Sequence, residues 1–327
     1  MSRPGSGPSQ APDANPEFEV AEVDVIVPTR DRPELLRACI RAIIEQDYAG
    51  ALRVLVVYDQ SEPELDLVAD TVPAGKQPPR RVEVLTNRRT PGLAGARNTG
   101  LEAATAELVA FCDDDDQWLP GKLQFQIDAL AHDPDAEFVC CGIEVVYADE
   151  AHPRVLTRHQ VTLRDLLRDR LTELHPSTFL MRRAAVVDGF GLVEENIPGS
   201  YAEDYEFLLR AARHHTITNV PKVGVRVLWS KGSFFTSRWE TMQSALIWLL
   251  DRYPEFRDVP AGEARVAGQI AFAAAANGER REALRWAGRT LRRNPTEARA
   301  YLAMGVASGL VSADTVMRRL HNLGRGL

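Results

Sequence analysis

The sequence of 327 residues predicts an α/β protein with a mostly parallel sheet flanked by helices, followed by a small all-α region. Two observations predict this fold class. Between residues 23 and 146, short apolar runs rich in β-branched residues alternate with segments of helical spacing, which is the pattern of successive βα units. The runs are apolar at nearly every position, as expected of strands that helices cover on both faces.

The first apolar run ends at Pro28, and the helix predicted after it has apolar residues, among them Leu36, Ile40 and Ile43, at helical spacing. The same reasoning predicts strands at 23–27, 53–58, 82–85, 107–112 and 137–146. Helices are predicted between them at 32–46, 63–70, 93–104 and 119–131. The next part is mixed, with strands at 177–181 and 223–228 and helices at 163–168, 202–214 and 239–250.

From about residue 260 onward the sequence predicts only helices. The spacing of Gly278, Ala283 and Pro295, continued by Tyr301 and Gly305, is that of a tetratricopeptide repeat, although an ordinary helical hairpin is the alternative. Only about one and a half units are present, fewer than the roughly three that a free-standing repeat array needs. We therefore predict an α/β domain at 21–255 and a helical region at 256–327 that docks on it.

Composition excludes several classes of protein. The formal net charge of −7 argues against bulk binding of nucleic acid. Residues 1–20 are rich in Pro, Ser and Gly and have no apolar core, so we expect a disordered segment and not a signal peptide. No apolar stretch reaches the roughly 18–20 residues of a transmembrane span. Four cysteines without a CxxC pair indicate reduced thiols in a cytoplasmic protein.

The charge is distributed unevenly along the chain. Residues 261–327 contain 11 Arg and 5 acidic residues, a net charge of +6, so the remainder carries −13. The basic helices could face the acidic body, a partner protein, a second copy of the chain or an anionic surface, or they could present a solvated face.

Polar residues follow each of the first four predicted strands, where the carboxyl ends of parallel strands form the usual ligand site. These residues are Pro28, Thr29, Arg30 and Asp31; Asp59, Gln60 and Ser61; Asn87 and Arg88; and Asp113, Asp114, Asp115 and Asp116. Strand ends are usually polar, but four such loops on one edge predict a site.

The four consecutive aspartates are the strongest signal in the sequence. In an extended segment side chains alternate, so Asp113 and Asp115 would face the site together while Asp114 and Asp116 point away or cap the next helix. Carboxylates suit Mg²⁺ or Mn²⁺, which typically bind through one or two carboxylates and substrate phosphates. The alternative is a solvated acidic turn.

Two other stretches carry candidate residues. Gly92, Gly95 and Arg97 lie in a glycine-punctuated loop that enters a helix, which suits an anion site or, alternatively, close packing of the helix on the sheet. Glu203 and Asp204 begin a predicted helix, where they either cap the helix or supply a general base.

Taken together, these stretches resemble the family 2 glycosyltransferases, which have the Rossmann-like GT-A fold. The resemblance covers about residues 22–230 and rests on the order and spacing of VDVIVPTRDRPELLRACIRAIIEQDY, RVLVVYDQS, NRRTPGLAGARNTGLEAA, LVAFCDDDDQWLPGKLQFQ, PSTFLMRRAAVVDGFG and AEDYEFLLR. The DxD motif of the family corresponds to Asp113-Asp114-Asp115, and its ED motif to Glu203-Asp204. Tyr58 stands where the family has the first acid of its base-binding turn.

The resemblance implies an inverting enzyme that transfers a sugar from a nucleotide-diphospho-sugar, with a UDP-sugar expected, to an unidentified acceptor hydroxyl. It assigns donor binding to Pro28, Thr29, Arg30, Asp59, Arg97, Asp113 and Asp114. It implies that Asp113 and Asp115 hold Mn²⁺ or Mg²⁺, and that Asp204, with Glu203 beside it, accepts the acceptor proton. His175, near the site by family position, is either a metal or acceptor contact or an ordinary loop histidine.

Other functions are weighed against this one. A phosphatase with an aspartate nucleophile needs DxDx[TV] after the first strand, and a sugar nucleotidyltransferase needs a glycine-rich loop there, whereas this chain has PTRD. Arg238-Trp239 resembles part of the QxxRW signature of processive synthases, but its Gln is missing, so we expect a non-processive enzyme. A non-catalytic nucleotide-sugar-binding or helical scaffold protein remains the alternative.

Overall fold

The computed structural model describes residues 21–64, 66, 78–147, 150–228 and 238–322. Its strands are β1 Val23–Thr29, β2 Leu52–Tyr58, β3 Arg80–Thr86, β4 Leu108–Phe111, β5 Asp116–Trp118, β6 Phe138–Tyr147, β7 Glu150–Arg154, β8 Gln160–Val161, β9 Leu180–Arg182 and β10 Ile217–Leu228. Its helices are α1 Pro33–Ile44, α2 Leu93–Ala103, α3 Lys122–His132, α4 Leu163–Arg168, α5 Glu203–His214, α6 Trp239–Arg252, α7 Pro260–Ala276, α8 Arg280–Arg293, α9 Ala298–Ala307 and α10 Ala313–Asn322.

The strands form one sheet in the order β3-β2-β1-β4-β9-β6-β10-β5, with β7 paired to β6 and β8 to β10. The first four strands in this order are parallel to one another, as are β6 and β10, whereas β9 runs antiparallel between β4 and β6. The predicted mostly parallel sheet is therefore confirmed. Alternate residues of β1 enter different cores, since Ile26 packs in one cluster and Val25 and Val27 in another, so helices cover both faces.

Two predicted strands differ clearly from the structure. The strand predicted at 177–181 begins only at Leu180, because Pro176–Thr178 forms a 3₁₀ turn in which the Thr178 hydroxyl donates to the His175 carbonyl at 2.7 Å. The strand predicted at 223–228 begins earlier, at Ile217, and continues through register shifts around Pro221 and Gly224. The helix predicted at 63–70 lies largely outside the described residues.

The C-terminal helices share the core of the α/β body. Ile270 and Phe272 of α7 are fully buried in the same cluster as Phe207 of α5. A Cβ on Gly262 would lie 1.9 Å from the Leu167 carbonyl oxygen, so α7 approaches the end of α4 backbone to backbone. The tetratricopeptide-like character of these helices and the domain division near residue 255 stay predictions.

Two further expectations concern the thiols and the membrane. All four cysteines are buried and free, with 3.5 Å between the Sγ atoms of Cys39 and Cys112. Among the described residues, no helix combines the length and the apolar character that crossing a bilayer requires.

Candidate active site

The candidate site lies at the carboxyl ends of β1, β2 and β4, beside the 3₁₀ turn Pro176–Thr178 and the start of α5. After β4 the chain turns, because the Asp116 amide donates to the Asp113 carbonyl at 3.1 Å. The expected strand-like alternation of the four aspartates therefore does not hold. Instead, their carboxylates diverge to three cationic partners.

Asp113 is joined to the start of α5 by a buried arginine. Arg97, only 2% exposed, donates from Nη2 to Asp113 Oδ1 at 2.7 Å and from Nη1 to Glu203 Oε1 at 2.8 Å. Burial alone would lower the pKa of Arg97, but the two carboxylates outweigh it and raise that pKa. The bridge brings together the aspartate run after β4 and the start of α5, and it leaves Arg97 enclosed between carboxylates.

Glu203 and Asp204 begin α5 after Ala202, which has a left-handed φ of 63°. Burial, with the charge of Asp204, raises the pKa of Glu203 even beside Arg97. Burial would also raise the pKa of Asp204, but the guanidinium of Arg170, which donates to Asp204 Oδ2, and that of Arg97 outweigh it, so this pKa is lowered. Asp204 is therefore the stronger acid of the pair and is ionised at neutral pH.

Asp114 and Asp115 share a second arginine. Arg32 Nη1 lies 3.2 Å from Asp114 Oδ1 and 2.7 Å from Asp115 Oδ2, and the Thr29 hydroxyl donates to Asp114 Oδ2 at 2.7 Å. Burial and the neighbouring carboxylates raise the pKa of Asp115 to about 6 despite Arg32. This side of the cluster is open, since the Asp115 side chain is 36% exposed.

Asp116 faces the 3₁₀ turn. Its Oδ2 accepts a 2.5 Å hydrogen bond from the Ser177 hydroxyl and lies 3.2 Å from Nδ1 of His175. Burial alone would lower the pKa of His175, but Asp116 and the more distant Asp113 and Asp204 raise it to about 9. The structure therefore places His175 within the site, where it is a cation when no metal is bound.

These side chains fit a divalent cation. One ligand atom from each of Asp113, Asp116 and His175 lies within 4.8 Å of the other two. Carboxylate oxygens with one imidazole nitrogen suit Mn²⁺, and carboxylates alone suit Mg²⁺. Asp115 borders this set on its solvent side, with its carboxylate turned toward Arg32.

The ends of β2 and β3 are held by Asp59. Its carboxylate accepts from Asn87 Nδ2 at 2.8 Å, from Gln60 Nε2 at 2.9 Å and from the Gly92 amide at 3.0 Å. Gly92, at the N-terminus of α2, has a φ of 120°, which only glycine adopts readily. Asp59 therefore fixes the loop that leads into α2.

The residues predicted to bind the nucleotide do not all face one opening. Thr29 lines a shallow pocket with Arg32, Tyr58 and Ser61 beside the ends of β1 and β2. Pro28 is buried within β1, and Arg30 is half exposed, 3.7 Å from Asp31. Of Pro28, Thr29 and Arg30, only Thr29 lines this pocket.

Comparison with known protein families identifies the chain. The family model described as Glycosyl transferase family 2 matches residues 24–190, about half of the sequence. The chain belongs to glycosyl transferase family 2. The matched part of this family 2 chain includes β1, the four aspartates and His175, and it ends before Asp204.

Curated relatives of the family 2 chain have named activities. It is 26% identical over 147 residues to UDP-Glc:alpha-D-GlcNAc-diphosphoundecaprenol beta-1,3-glucosyltransferase WfgD of Escherichia coli, covering 45% of this chain and 55% of the relative. It is 28% identical over 200 residues to the amylovoran biosynthesis glycosyltransferase AmsE of Erwinia amylovora, covering 61% of this chain and 72% of the relative.

Solved structures share its fold. TarS of S. aureus, residues 1–349 with UDP-GlcNAc, aligns over 88% of this chain and 91% of its own with a TM-score of 0.55 and 18% identity. The mannosyltransferase PcManGT of Pyrobaculum calidifontis, in complex with GDP-Man and Mn²⁺, aligns over 89% and 81% with a TM-score of 0.55 and 22% identity. At these identities the likeness establishes the fold of the family 2 chain and nothing finer.

Three site residues, Arg32, Ser177 and Arg170, were not predicted from the sequence, and Asp116 was predicted in another role. Arg32 directly follows the first strand end and could have been included with the polar residues there. Asp116, expected to point away or to cap the next helix, faces His175 instead, because the segment turns and is not extended. Ser177 and Arg170 carry no sequence signal, since they reach Asp116 and Asp204 only through tertiary packing.

Proposed function

We propose that the protein is an inverting, non-processive glycosyltransferase that moves a sugar from a nucleotide-diphospho-sugar to an acceptor hydroxyl. The observation that carries the proposal is the Arg97 bridge. It ties Asp113, in the motif expected to bind the donor diphosphate, to Glu203, which adjoins the expected base Asp204. Arg97 and Glu203, which are 106 positions apart in the sequence, thereby share one site.

Asp204 suits the role of general base. Its lowered pKa keeps it ionised at neutral pH, and its side chain remains 22% exposed, so that an acceptor hydroxyl could reach it. The hydroxyl oxygen would attack the anomeric carbon as its proton passes to a carboxylate oxygen of Asp204, and the bond from that carbon to the diphosphate would break. A single in-line displacement of this kind inverts the configuration and needs no covalent intermediate.

The proposed metal ligands are Asp113 and Asp115, with Mn²⁺ or Mg²⁺ neutralising charge on the leaving diphosphate when bound. The side chain of Asp115 is the most exposed of the four aspartates. Mg²⁺ and Mn²⁺ retain water and phosphate ligands, which need such open space. Asp116 and His175 would complete the ligand set, since one ligand atom of each lies within 4.8 Å of the other and of one from Asp113.

A UDP-sugar is the proposed donor. WfgD is named as a UDP-Glc-dependent enzyme, and TarS has been solved with UDP-GlcNAc, although PcManGT was solved with GDP-Man. Thr29 and Asp59, at the adjacent ends of β1 and β2, are the proposed contacts of the nucleoside. The acceptor is proposed only as a hydroxyl group, and the cytoplasmic location stays a prediction.

Replacement of the base tests this proposal. We expect Asp204→Asn to lower Mn²⁺-dependent hydrolysis of a UDP-sugar, and transfer to any acceptor found, at least about 100-fold. Nucleotide binding, measured as a thermal shift with UDP and Mn²⁺, should stay unchanged because Asp204 does not contact the donor in this scheme. Asp188→Asn, at an exposed carboxylate outside the site, is the matched control.

The outcomes separate two functions. Retained turnover in Asp204→Asn would contradict the assignment of the base. A wild-type protein that shows a nucleotide-dependent thermal shift but hydrolyses and transfers none of a panel of UDP- and GDP-sugars would favour the non-catalytic nucleotide-sugar-binding alternative.

A further inference from the structure

Each carboxylate of the aspartate run has a cationic partner in the structure. Arg97 pairs with Asp113 at 2.7 Å, and His175 lies 3.2 Å from Asp116. Arg32 serves the remaining two carboxylates, those of Asp114 and Asp115. Three cationic side chains therefore stabilise a site that would otherwise gather four like charges within consecutive residues.

Of the two arginines that pair with the aspartates, Arg32 is the one that a divalent cation could displace. Arg97 is held by two carboxylates, is 2% exposed, and lies with its guanidinium carbon 5.6 Å from the centre of the Phe111 ring. The Arg32 side chain is 47% exposed. The Arg97 guanidinium is shielded from water, whereas that of Arg32 already meets solvent and can exchange its ion pair with Asp115, whose side chain is itself 36% exposed, for water at little cost.

Arg32 also has space to move. It precedes α1 at the N-cap position and makes no side-chain capping bond. The same residue lines the shallow pocket at the ends of β1 and β2, next to Thr29 and Tyr58. A displaced guanidinium would therefore turn from the carboxylates toward this pocket or toward solvent without any change in the backbone.

We propose that Arg32 is an exchangeable counter-cation, which neutralises Asp114 and Asp115 until a divalent metal displaces it from Asp115. This inference rests on the proposed function, because it takes Asp115 to be a metal ligand. A guanidinium and a divalent cation on the same carboxylate repel each other, so binding of the metal includes breaking the ion pairs of Arg32. Arg32 thus lowers the affinity of the empty site for metal and keeps its carboxylates in place.

Metal binding to the full chain tests the proposal without an acceptor. Mn²⁺ is titrated into wild type, Arg32→Gln and Arg37→Gln, and free Mn²⁺ is followed by its EPR signal, with and without UDP. The titration is run at pH 8, where carboxylates are ordinarily ionised. Arg37→Gln is the matched control, because Arg37 lies in α1, which begins directly after Arg32, and pairs with Glu64 at 2.8 Å.

We expect Arg32→Gln to bind Mn²⁺ about threefold to tenfold more tightly than wild type in the absence of UDP, the range that partly exposed ion pairs allow. Arg37→Gln should bind as wild type does. Arg32→Lys, which keeps the positive charge, should stay within about twofold of wild type. The metal-free Arg32→Gln variant should melt at a lower temperature, and saturating Mn²⁺ should raise its Tm by more than that of wild type.

The contradicting results are distinct. Equal or weaker Mn²⁺ binding by folded Arg32→Gln, beside normal wild-type binding, would overturn the role of Arg32 and leave the proposed function intact. A wild-type protein that binds no Mn²⁺ even with UDP would overturn the metal site and this inference together. If Arg32→Gln fails to fold, Arg32→Lys decides the question. Because this variant keeps the positive charge, much tighter Mn²⁺ binding than in wild type would contradict the proposed competition between that charge and the metal.

Discussion

Asp24, at the amino end of β1, is a buried carboxylate with a structural function. Arg53 donates to its two oxygens at 2.8 and 2.7 Å, and the amides of Thr105 and Ala106 donate to Oδ2 at 2.7 and 2.9 Å. Burial alone would raise the pKa of Asp24, but these hydrogen bonds outweigh it and lower that pKa. The carboxylate therefore joins β1, β2 and the turn before β4 in its ionised form.

We expect Asp24→Asn to lower the free energy of unfolding by about 1–3 kcal/mol at pH 7, because buried donors lose a charged acceptor. The pKa of Asp24 is lower in the folded state than its unfolded value of about 3.9, so this stabilisation is present above that value and is lost as the pH falls through the folded pKa. The difference between wild type and variant, measured by urea unfolding from pH 7 down to pH 3, should shrink with acidification.

Glu83 provides the control for this prediction. It also pairs with Arg53, at 3.4 Å, but its side chain is 47% exposed. Glu83→Gln should cost less than about 0.5 kcal/mol, as exposed ion pairs do. A difference for Asp24→Asn that stays constant over the whole pH range would show that the contribution does not come from the ionised carboxylate.

At the scale of single residues, the sequence predicted which residues meet but not how they pair. Strand order placed Asp59, Asp113 and Thr29 at one edge of the sheet, because parallel strands end together. The direction of each aspartate could not be predicted in that way, since one backbone hydrogen bond between Asp116 and Asp113 turns the segment. The role of Arg170 could not be predicted, because its partner Asp204 lies 34 positions away and on another element.

Helix α2 shows how one glycine fixes the place of an element. It begins after Gly92, and a Cβ on Gly95 in its first turn would lie 1.9 Å from the Thr90 carbonyl oxygen. The backbone of the helix thus lies directly against the loop that Asp59 holds. Because the obstructing atom belongs to the backbone, no side-chain rotation can relieve the clash.

We predict that Gly95→Ala lowers the free energy of unfolding by about 1–3 kcal/mol, the usual cost of forcing extra volume into a close contact. Gly288→Ala, in the middle of α8 with nothing within 4 Å of the added Cβ, should instead stabilise the protein by about 0.5–1 kcal/mol through helix propensity. Both values are obtained by chemical denaturation. A Gly95→Ala variant as stable as wild type would contradict the close approach of α2.

At the scale of elements, periodicity predicted the strands and helices with strong local patterns and failed where tertiary contacts decide. Helix α1, with Leu36, Ile40 and Ile43 buried, needed no further information. Strand β9 is only three residues long and antiparallel, and it exists because it closes the gap between β4 and β6. The first half of β10 was not predicted, because Pro221 interrupts it in the sequence and a proline normally ends a strand.

At the scale of the whole molecule, the basic C-terminal helices use part of their charge internally. Arg289 and Arg293 of α8 both pair with the buried Glu263 of α7. Arg265 of α7 donates to the Tyr205 hydroxyl at 2.8 Å, one residue from Asp204. The sequence predicted that these helices dock on the body, but contacts of this kind depend on the packed structure. Binding of a partner or a second copy through the remaining arginines stays a prediction.

The division into an α/β domain and a helical region can be tested by truncation. We expect a chain ending at residue 255 to be unfolded or aggregated, because it lacks α7, whose Val266, Ile270 and Phe272 are fully buried in the same apolar cluster as residues of α5. Each large apolar side chain withdrawn from the core costs about 1.5–3 kcal/mol, so a few of them exceed the roughly 5–15 kcal/mol that stabilises a typical domain.

A chain ending at Ser312 is the matched control for that truncation. It lacks α10, in which Val316 is buried and Arg318 and Arg319 are exposed, but it keeps α7 to α9. We expect it to remain folded, with a cooperative thermal transition by circular dichroism and a UDP-dependent rise in Tm. A chain ending at residue 255 that melts cooperatively and still responds to UDP and Mn²⁺ would show that the α/β part is an independent domain. In that case the C-terminal helices would not be needed to hold α5, and Asp204 with it, beside the aspartate cluster.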